Sequence, residues 1–535
     1  MFSQILLYFI VSVLAVCHNC LNSRSTSSYS LTNFITADSN KLQEKETTSY
    51  ISVKAAGVVG DGETDVTNKI QQLLNKHDSV FFPKGNYLIS SELTLKSNQV
   101  VYGDSGTNIM TKTVVPFNFF QVRSKENVKI RSLNFNCPAG TKAEDYAVKI
   151  INSRTIVVSH LVATNCGLVT SPEDVSYEET GNYEKGKPLT GSKDISIDGC
   201  KGTGSLAAMT GRTRGILMQF VKNWKVTNCI LKNYVQGVQW WGGDSNPERN
   251  GDTNNVRKTS NGLVENVTVS DIAGGGIWGS MGENIVIKSC RVSKCGDVGI
   301  DFEGCFNSTA TNNYVKDCKN GCLATFHYNK NISFDHNIVR QRDPRFPLAC
   351  IYNSTQRQDN GLVSLANNHF SVDKGVGVIL QQGPSNYIVF EKNMLLNVVL
   401  NLTFNNNKII EIRNNTFKLT KPLGDYNYVI KAGLTNFGGK LTVEDNSILS
   451  TVSQRKEVFA INPFQGDYNS SPLNIIKDNR ITGVPNKYKI EWNGTNPGVT
   501  SKTYIISSTR VLPAEIKKVD LSGKPSEVYL NNIKQ

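Results

Sequence analysis

Long helical patterns are nearly absent from this 535-residue chain, and proline is sparse at 16 residues. The first absence excludes a fold built on helices. Only one long apolar run occurs, Ile5 to Val16, so no other stretch could cross a bilayer. No cysteine pair has zinc-ligand spacing supported by histidine, which excludes a zinc cluster. No nucleic-acid module is visible, and no basic cluster is interleaved with aromatics, so nucleic acid is not an expected partner. The formal charge of +13, with a pI of about 9.0, then has two readings. It is either a generally lysine-rich surface or a long-range field favouring an anionic partner, such as an acidic polysaccharide.

What is present is a repeat. Glycine (43 residues) and asparagine are abundant, as corners between short strands require. Between Gly215 and Gly383 one plan recurs: a small residue, a five-residue strand, a glycine- or asparagine-marked corner, then a second strand. The first strands read Gly237-Val-Gln-Trp-Trp241, Gly276-Ile-Trp-Gly-Ser280, Gly299-Ile-Asp-Phe-Glu303, Cys322-Leu-Ala-Thr-Phe326, Cys350-Ile-Tyr-Asn-Ser354 and Gly377-Val-Ile-Leu-Gln381. From Gly276 onward the spacings are 23, 23, 28 and 27 residues. A period in the twenties carried by strands predicts a β-solenoid, in which each coil buries its inward residues against the coils above and below. Looser copies follow at Val398–Leu402, Ile409–Ile412 and Leu441–Glu444.

The first residues read as an address. The twelve-residue run from Ile5 to Val16 suits a signal segment, with Ala15-Val-Cys17 as a small-x-small cleavage site, although no positive charge precedes it. Residues 1–17 are therefore expected to be a signal peptide and 18–49 a flexible leader. Eight Asn-x-Ser/Thr sequons, at Asn266, Asn307, Asn331, Asn353, Asn401, Asn414, Asn469 and Asn493, fit a secreted, extracellular glycoprotein. An asparagine- and threonine-rich chain also produces such triplets by chance. Of the cysteines, Cys295 and Cys318 fall one over the other in adjacent coils, about 4.8 Å apart. A disulfide and a pair of stacked free thiols both fit that spacing.

Gly57-Val-Val-Gly-Asp-Gly-Glu-Thr-Asp65 leads into Val66, Ile70, Leu73 and Leu74, apolar positions on one helical face, and then into Val80-Phe-Phe-Pro-Lys-Gly-Asn-Tyr-Leu-Ile89. Thr64 or Asp65 is expected to cap this helix, which covers the open first coil, and Asp61 to serve a turn. The passage resembles the N-terminal segment of the pectate-lyase superfamily, the pectin-lyase-like proteins. The resemblance spans residues 53–105 by motif and runs on through the coils to about residue 450. It implies an all-β, single-stranded right-handed parallel β-helix with an N-terminal capping helix, placed at residues 50–490, with 491–535 as a C-terminal cap or tail. It also implies hydrolysis, elimination, epimerisation or plain binding of a glycan, since the superfamily divides among these. The polygalacturonase residue set and the calcium-type aspartate cluster of the pectate lyases are both missing. No catalytic residue is carried over from those relatives.

Strand parity supplies the candidates instead. In Gly299-Ile-Asp-Phe-Glu303, Ile300 and Phe302 belong inside, leaving Asp301 and Glu303 outside. The same register places Gln239, Trp241, Trp278, Ser280, Phe326, Tyr352 and Ser354 outside neighbouring coils, and Trp240 inside. Flat rings beside carboxylates suit a sugar, whose C–H face packs on a ring while its hydroxyls bond the acids. Two carboxylates two residues apart repel, raising one pKa for a general acid and leaving the other ionised. Glu303 is expected to be the proton donor, Asp301 the base or nucleophile, and Asp297 a third member; an ordinary charged strand face is the plainer alternative. Arg214 or Arg212 could hold a substrate carboxylate. The segments 244–261, opening at Asp244, and 171–193 would wall the groove.

Together these readings predict a secreted protein that cleaves glycosidic bonds of an extended, acidic polysaccharide, with no cofactor. The alternatives are a lyase or uronate epimerase using His327 or Tyr328 as base, possible with a cation such as calcium, and a non-catalytic glycan-binding surface or virion-fibre protein. The oligomeric state is left open between monomer and homotrimer.

Overall fold

The computed structural model describes residues 50–535 apart from 113–117, 139–145, 173–190, 206–212, 246–258, 353–360, 382, 384, 404–407, 435–438, 467–472, 494–499, 509–510 and 521–525. The expected signal and leader, Arg212, Asn353, Ser354, Asn469 and most of both long insertions lie outside the described residues, as does the side chain of Asn493.

Each coil is built the same way. A strand such as Ile300–Glu303 turns into Phe306–Thr311, then into Tyr314–Lys316, and the next coil begins at Leu323–Phe326. Among the described residues, stacking these coils makes three sheets of nineteen, sixteen and sixteen strands, parallel except for one terminal pair. We call them sheet one (holding Phe306–Thr311), sheet two (Tyr314–Lys316) and sheet three (Ile300–Glu303). The repeat predicts this solenoid and the resemblance implies its right-handed parallel β-helix form, with side chains of period two filling the interior. Trp224, Trp240, Phe302 and Phe334 form one such internal stack, with successive ring centroids 6.4, 5.8 and 5.8 Å apart. Trp240 therefore points inward, as parity requires.

The corner between sheets one and two explains the wealth of asparagine. Its first residue takes a left-handed backbone, as in Asn312 (φ 56°), Asn367 (φ 55°) and Asn414 (φ 56°), which asparagine tolerates better than most residues. Its second residue is buried and forms a ladder through Asn313, Asn337, Asn368, Asn393, Asn415, Asn446 and Asn479. Each carboxamide oxygen accepts the backbone N–H of the residue one coil earlier, and the buried amides chain along the stack.

Helix α1 (Thr67–Lys76) buries Thr67, Ile70 and Leu74, with Leu73 partly buried against the same core. Asp65 accepts the backbone N–H of Thr67 at 2.9 Å and so serves the first turn from just outside it. Asp61 accepts the N–H groups of Glu63 and Thr64, both at 2.9 Å, and these bonds lower its pKa to about 2. At the other end the coils outrun the expected boundary at residue 490. Ile516–Asp520 still pairs within sheet three and Glu527–Leu530 within sheet one, before a short antiparallel return from Leu530 to Ile533. The tail is thus further coil, legible only weakly because its strands share no regular spacing.

Among the described residues no helix is long and apolar enough to cross a membrane. The ten cysteines from Cys137 to Cys350 are buried and free, so the stacked Cys295 and Cys318 are thiols and not a disulfide.

Candidate active site

The site lies on the outer face of sheet three. Its strands are β1 (Arg214–Gln219), β2 (Gln236–Trp241), β3 (Ile277–Ser280), β4 (Ile300–Glu303), β5 (Leu323–Phe326) and β6 (Ala349–Ile351). In-register pairing aligns two outward rows. One runs Leu217, Gln239, Trp278, Asp301, Ala324, Cys350; the other runs Gln219, Trp241, Ser280, Glu303, Phe326. The long connections that leave Ser171, Trp241 and Ile351 all depart from the C-terminal ends of sheet-three strands, beside these rows.

Parity placed Asp301 on this face correctly but not its surroundings. Instead of facing solvent it is 1 % exposed, and neither carboxylate oxygen has a hydrogen-bond partner among the described residues. The reason is a small apolar cluster outside the sheet: Val298, Ala324 and Cys350, with Trp278 and Phe326 packed against it. Burial first, then the carboxylates of Glu303 and Asp297, hold Asp301 well above the usual carboxylate range. Of the pair, Asp301 is thus the member whose surroundings disfavour the charged form. Glu303, half-buried in the second row, sits between Ser280 and Phe326. Asp297 is exposed at the preceding corner.

The aromatic flank is assembled as expected. Trp241, Trp278, Phe326 and Tyr352 are all half-buried. Phe326 and Tyr352 have ring centroids 5.8 Å apart, and His327 lies 6.2 Å from each. His327 has φ of +67°, which turns the chain out of β5. Trp278 is fixed by its indole N–H, which donates to Gln236 Oε1 at 2.7 Å; that oxygen also accepts Gly275 N at 2.7 Å.

Two expectations need correction. Gln239 is outward but only 3 % exposed, and its amide oxygen accepts from Arg214 Nε. Arg214, half-buried, thus has its Nε tied to a neighbour in the sheet. Tyr328, the alternative base, is buried edge-on against Phe306, with Lys330 over its ring, around the corner from the face. Residues the sequence reading passed over are Gln236, Ser245, which pairs with Ser280 at 2.9 Å, and Cys350. Cys350 could have been found by aligning Ile300-Asp, Leu323-Ala and Ala349-Cys as equivalent strand starts. Burial and Asp301 push its thiol up to about 12.

Among the described residues no group of three or more His, Cys, Asp or Glu is arranged to hold a metal. The sequons at Asn266, Asn307, Asn331 and Asn414 are exposed, and Asn401 is half-buried. The first three donate their amides to the coil before: Asn228, Glu283 and Asn307 respectively.

Residues 50–301 match the model of a family described as rhamnogalacturonase A/epimerase, pectate lyase-like. That match covers 252 of the 535 residues, and over them the chain is similar to pectate-lyase-like proteins. Its fold is also similar to that of the pre-mature gene product 12 of bacteriophage phi29, with a TM-score of 0.54 and 14% identity over 90% of this chain and 73% of that one. A stretch of 58 residues, 10% of this chain, is 41% identical to a probable glucan endo-1,3-beta-glucosidase of Arthroderma benhamiae. The match spans only 7% of that relative.

Proposed function

We propose that the protein is a secreted β-helix enzyme that cleaves glycosidic bonds of an extended polysaccharide lying across the coils of sheet three. The observation that carries this reading is the carboxyl pair on β4. Asp301 is shut from water, and burial raises its pKa, while Glu303, two residues on and half-buried, lies on the same outer face. Two carboxyl groups in opposed environments are what acid-assisted glycoside cleavage uses: one protonates the leaving oxygen, the other activates water or attacks the sugar. Asp301 takes the acid role and Glu303 that of base or nucleophile. For Asp301 to act, the substrate must displace part of the Trp278 and Phe326 cover, and those rings then offer stacking surfaces for the sugar.

The family description, rhamnogalacturonase A/epimerase, supports a carbohydrate substrate. The glucosidase relative supports the same class through a short segment and does not speak for the linkage. The apolar run at Ile5–Val16 and the sequons on exposed corners support secretion.

The test is turnover of a panel of acidic and neutral polysaccharides, following reducing ends and ultraviolet absorbance together. Reducing ends without absorbance, lost in Glu303→Gln and Asp301→Asn, support hydrolysis. Normal turnover by both variants would sink it. The closed cover over Asp301 favours a second reading, a binding protein. Retention of intact glycan without either signal would select that one.

A further inference from the structure

The outer face of sheet three carries a second polar cluster in its last coils, which the carboxyl pair does not use. Lys431 and Asn462 are register partners on neighbouring strands. The flanking pairs Ile461–Tyr488 and Phe464–Glu491 set Lys489 opposite Asn462, and Lys489 in turn pairs with Lys517. One outward row therefore reads Lys431, Asn462, Lys489, Lys517. Asp301 lies in the same row, five coil steps before Lys431, or about 24 Å at the inter-strand spacing.

Three ammonium groups in one row repel unless an anion joins them. Among the described residues the cluster holds one carboxylate, Glu491, which is already committed. It contacts Lys489, lies 3.7 Å from Lys431, and accepts from Asn462 Nδ2 at 3.1 Å. Although burial acts to raise its pKa, the Lys489, Asn462 and Lys431 contacts keep Glu491 below the ordinary value, hence ionised. Lys431 is further steadied over the Tyr428 ring at 5.6 Å. One carboxylate thus orients two lysines and an amide and leaves the row net positive.

The independent sign of a ligand is Asn462 itself. It is 2 % exposed, and its carboxamide oxygen has no hydrogen-bond partner among the described residues. Rotating the amide would turn that oxygen toward Glu491 and leave the nitrogen without its acceptor, so the orientation with Nδ2 on Glu491 is the favourable one. A buried acceptor without a donor is costly unless something supplies one. A ligand suited to this row offers a hydroxyl to Asn462 and a negative group to the lysines. Polyhydroxylated anions have that chemistry.

We propose that Lys431, Asn462 and Lys489, extended by Lys517, form a subsite for an anionic sugar bearing a carboxylate or sulfate group. The proposal rests on the reading that a glycan lies along sheet three, and is independent of the reaction assigned to Asp301 and Glu303.

Calorimetric titration of the full chain tests it, with an oligogalacturonate for carboxylate, a heparin-derived oligosaccharide for sulfate and a laminarin oligosaccharide as neutral control. At least one anionic probe should bind, more weakly as salt rises. Lys489→Gln and Lys517→Gln together should weaken that binding at least tenfold and flatten its salt dependence. Asn462→Ala should weaken it several-fold with the salt dependence kept. Binding of the neutral probe should be unaffected by the lysine changes. Unchanged affinity in the lysine variants, with native melting curves, overturns the proposal, as does failure of both anionic probes to bind the wild type. Either failure leaves the Glu303→Gln turnover result standing; normal turnover by Glu303→Gln would remove the hydrolase reading and leave these titrations intact.

Discussion

The indole of Trp240 occupies the space where Gly279, its register partner one coil on, would carry a side chain. A Cβ at Gly279 would lie 2.4 Å from Trp240 Cδ2 and 2.2 Å from the Trp240 carbonyl oxygen. The backbone of β3 and the largest ring of the core are thus packed against each other directly. Gly279→Ala is expected to destabilise the central coils by about 1–3 kcal/mol through overpacking. Thermal melting and hydrogen exchange of strands β2 to β4 would show it; wild-type exchange there would contradict it.

The asparagine ladder makes a second prediction. Asn337 Oδ1 accepts from Asn313 N at 3.0 Å and Asn313 Nδ2 at 2.9 Å, while Asn337 Nδ2 donates to Ala310 O at 2.9 Å and Asn368 Oδ1 at 3.0 Å. Asn337→Ala removes all four bonds and leaves buried partners unsatisfied, at a cost of about 2 kcal/mol or more. Because coils contact only their neighbours, the loss should be local. Faster exchange confined to the coils around Asn313, Asn337 and Asn368 is the expected signature.

Asp301 should leave a mark on stability against pH. The folded state keeps a proton that the unfolded chain releases above about 3.9. Its contribution is therefore complete below that value and declines as pH rises toward the raised folded value. Within that window each pH unit changes stability by up to about 1.4 kcal/mol. Melting temperature should rise on acidification from neutral pH, and Asp301→Asn should remove that part of the slope. An unchanged slope in the variant would show that Asp301 is ionised in the folded protein.

Thiol chemistry gives a fourth test. The ten cysteines from Cys137 to Cys350 are buried and free. None should react with a water-soluble thiol reagent in the native protein, and all ten should react on unfolding. Recovery short by two would reveal an oxidised pair, with Cys295 and Cys318 the first to be mapped.

The sequence by itself determined the architecture and the face that carries the site. A spacing of 23 residues between Gly276, Gly299 and Cys322 sets coil length, and period-two alternation sends Ile300 and Phe302 inward and Asp301 and Glu303 outward. Both are local properties, readable along one strand. Only the tertiary structure decided that Asp301 is shut from water. Its cover comes from Val298 on its own coil and from Trp278, Ala324, Phe326 and Cys350 on other coils, and burial depends on how neighbouring side chains lean over a face and not on the parity of one strand. The same holds for Gln239 meeting Arg214, for Lys431, Asn462 and Lys489 sharing Glu491, and for coils that run on to Leu530. Each joins residues distant in sequence and adjacent in the stack, where pairing across coils, and not periodicity within them, sets the contact.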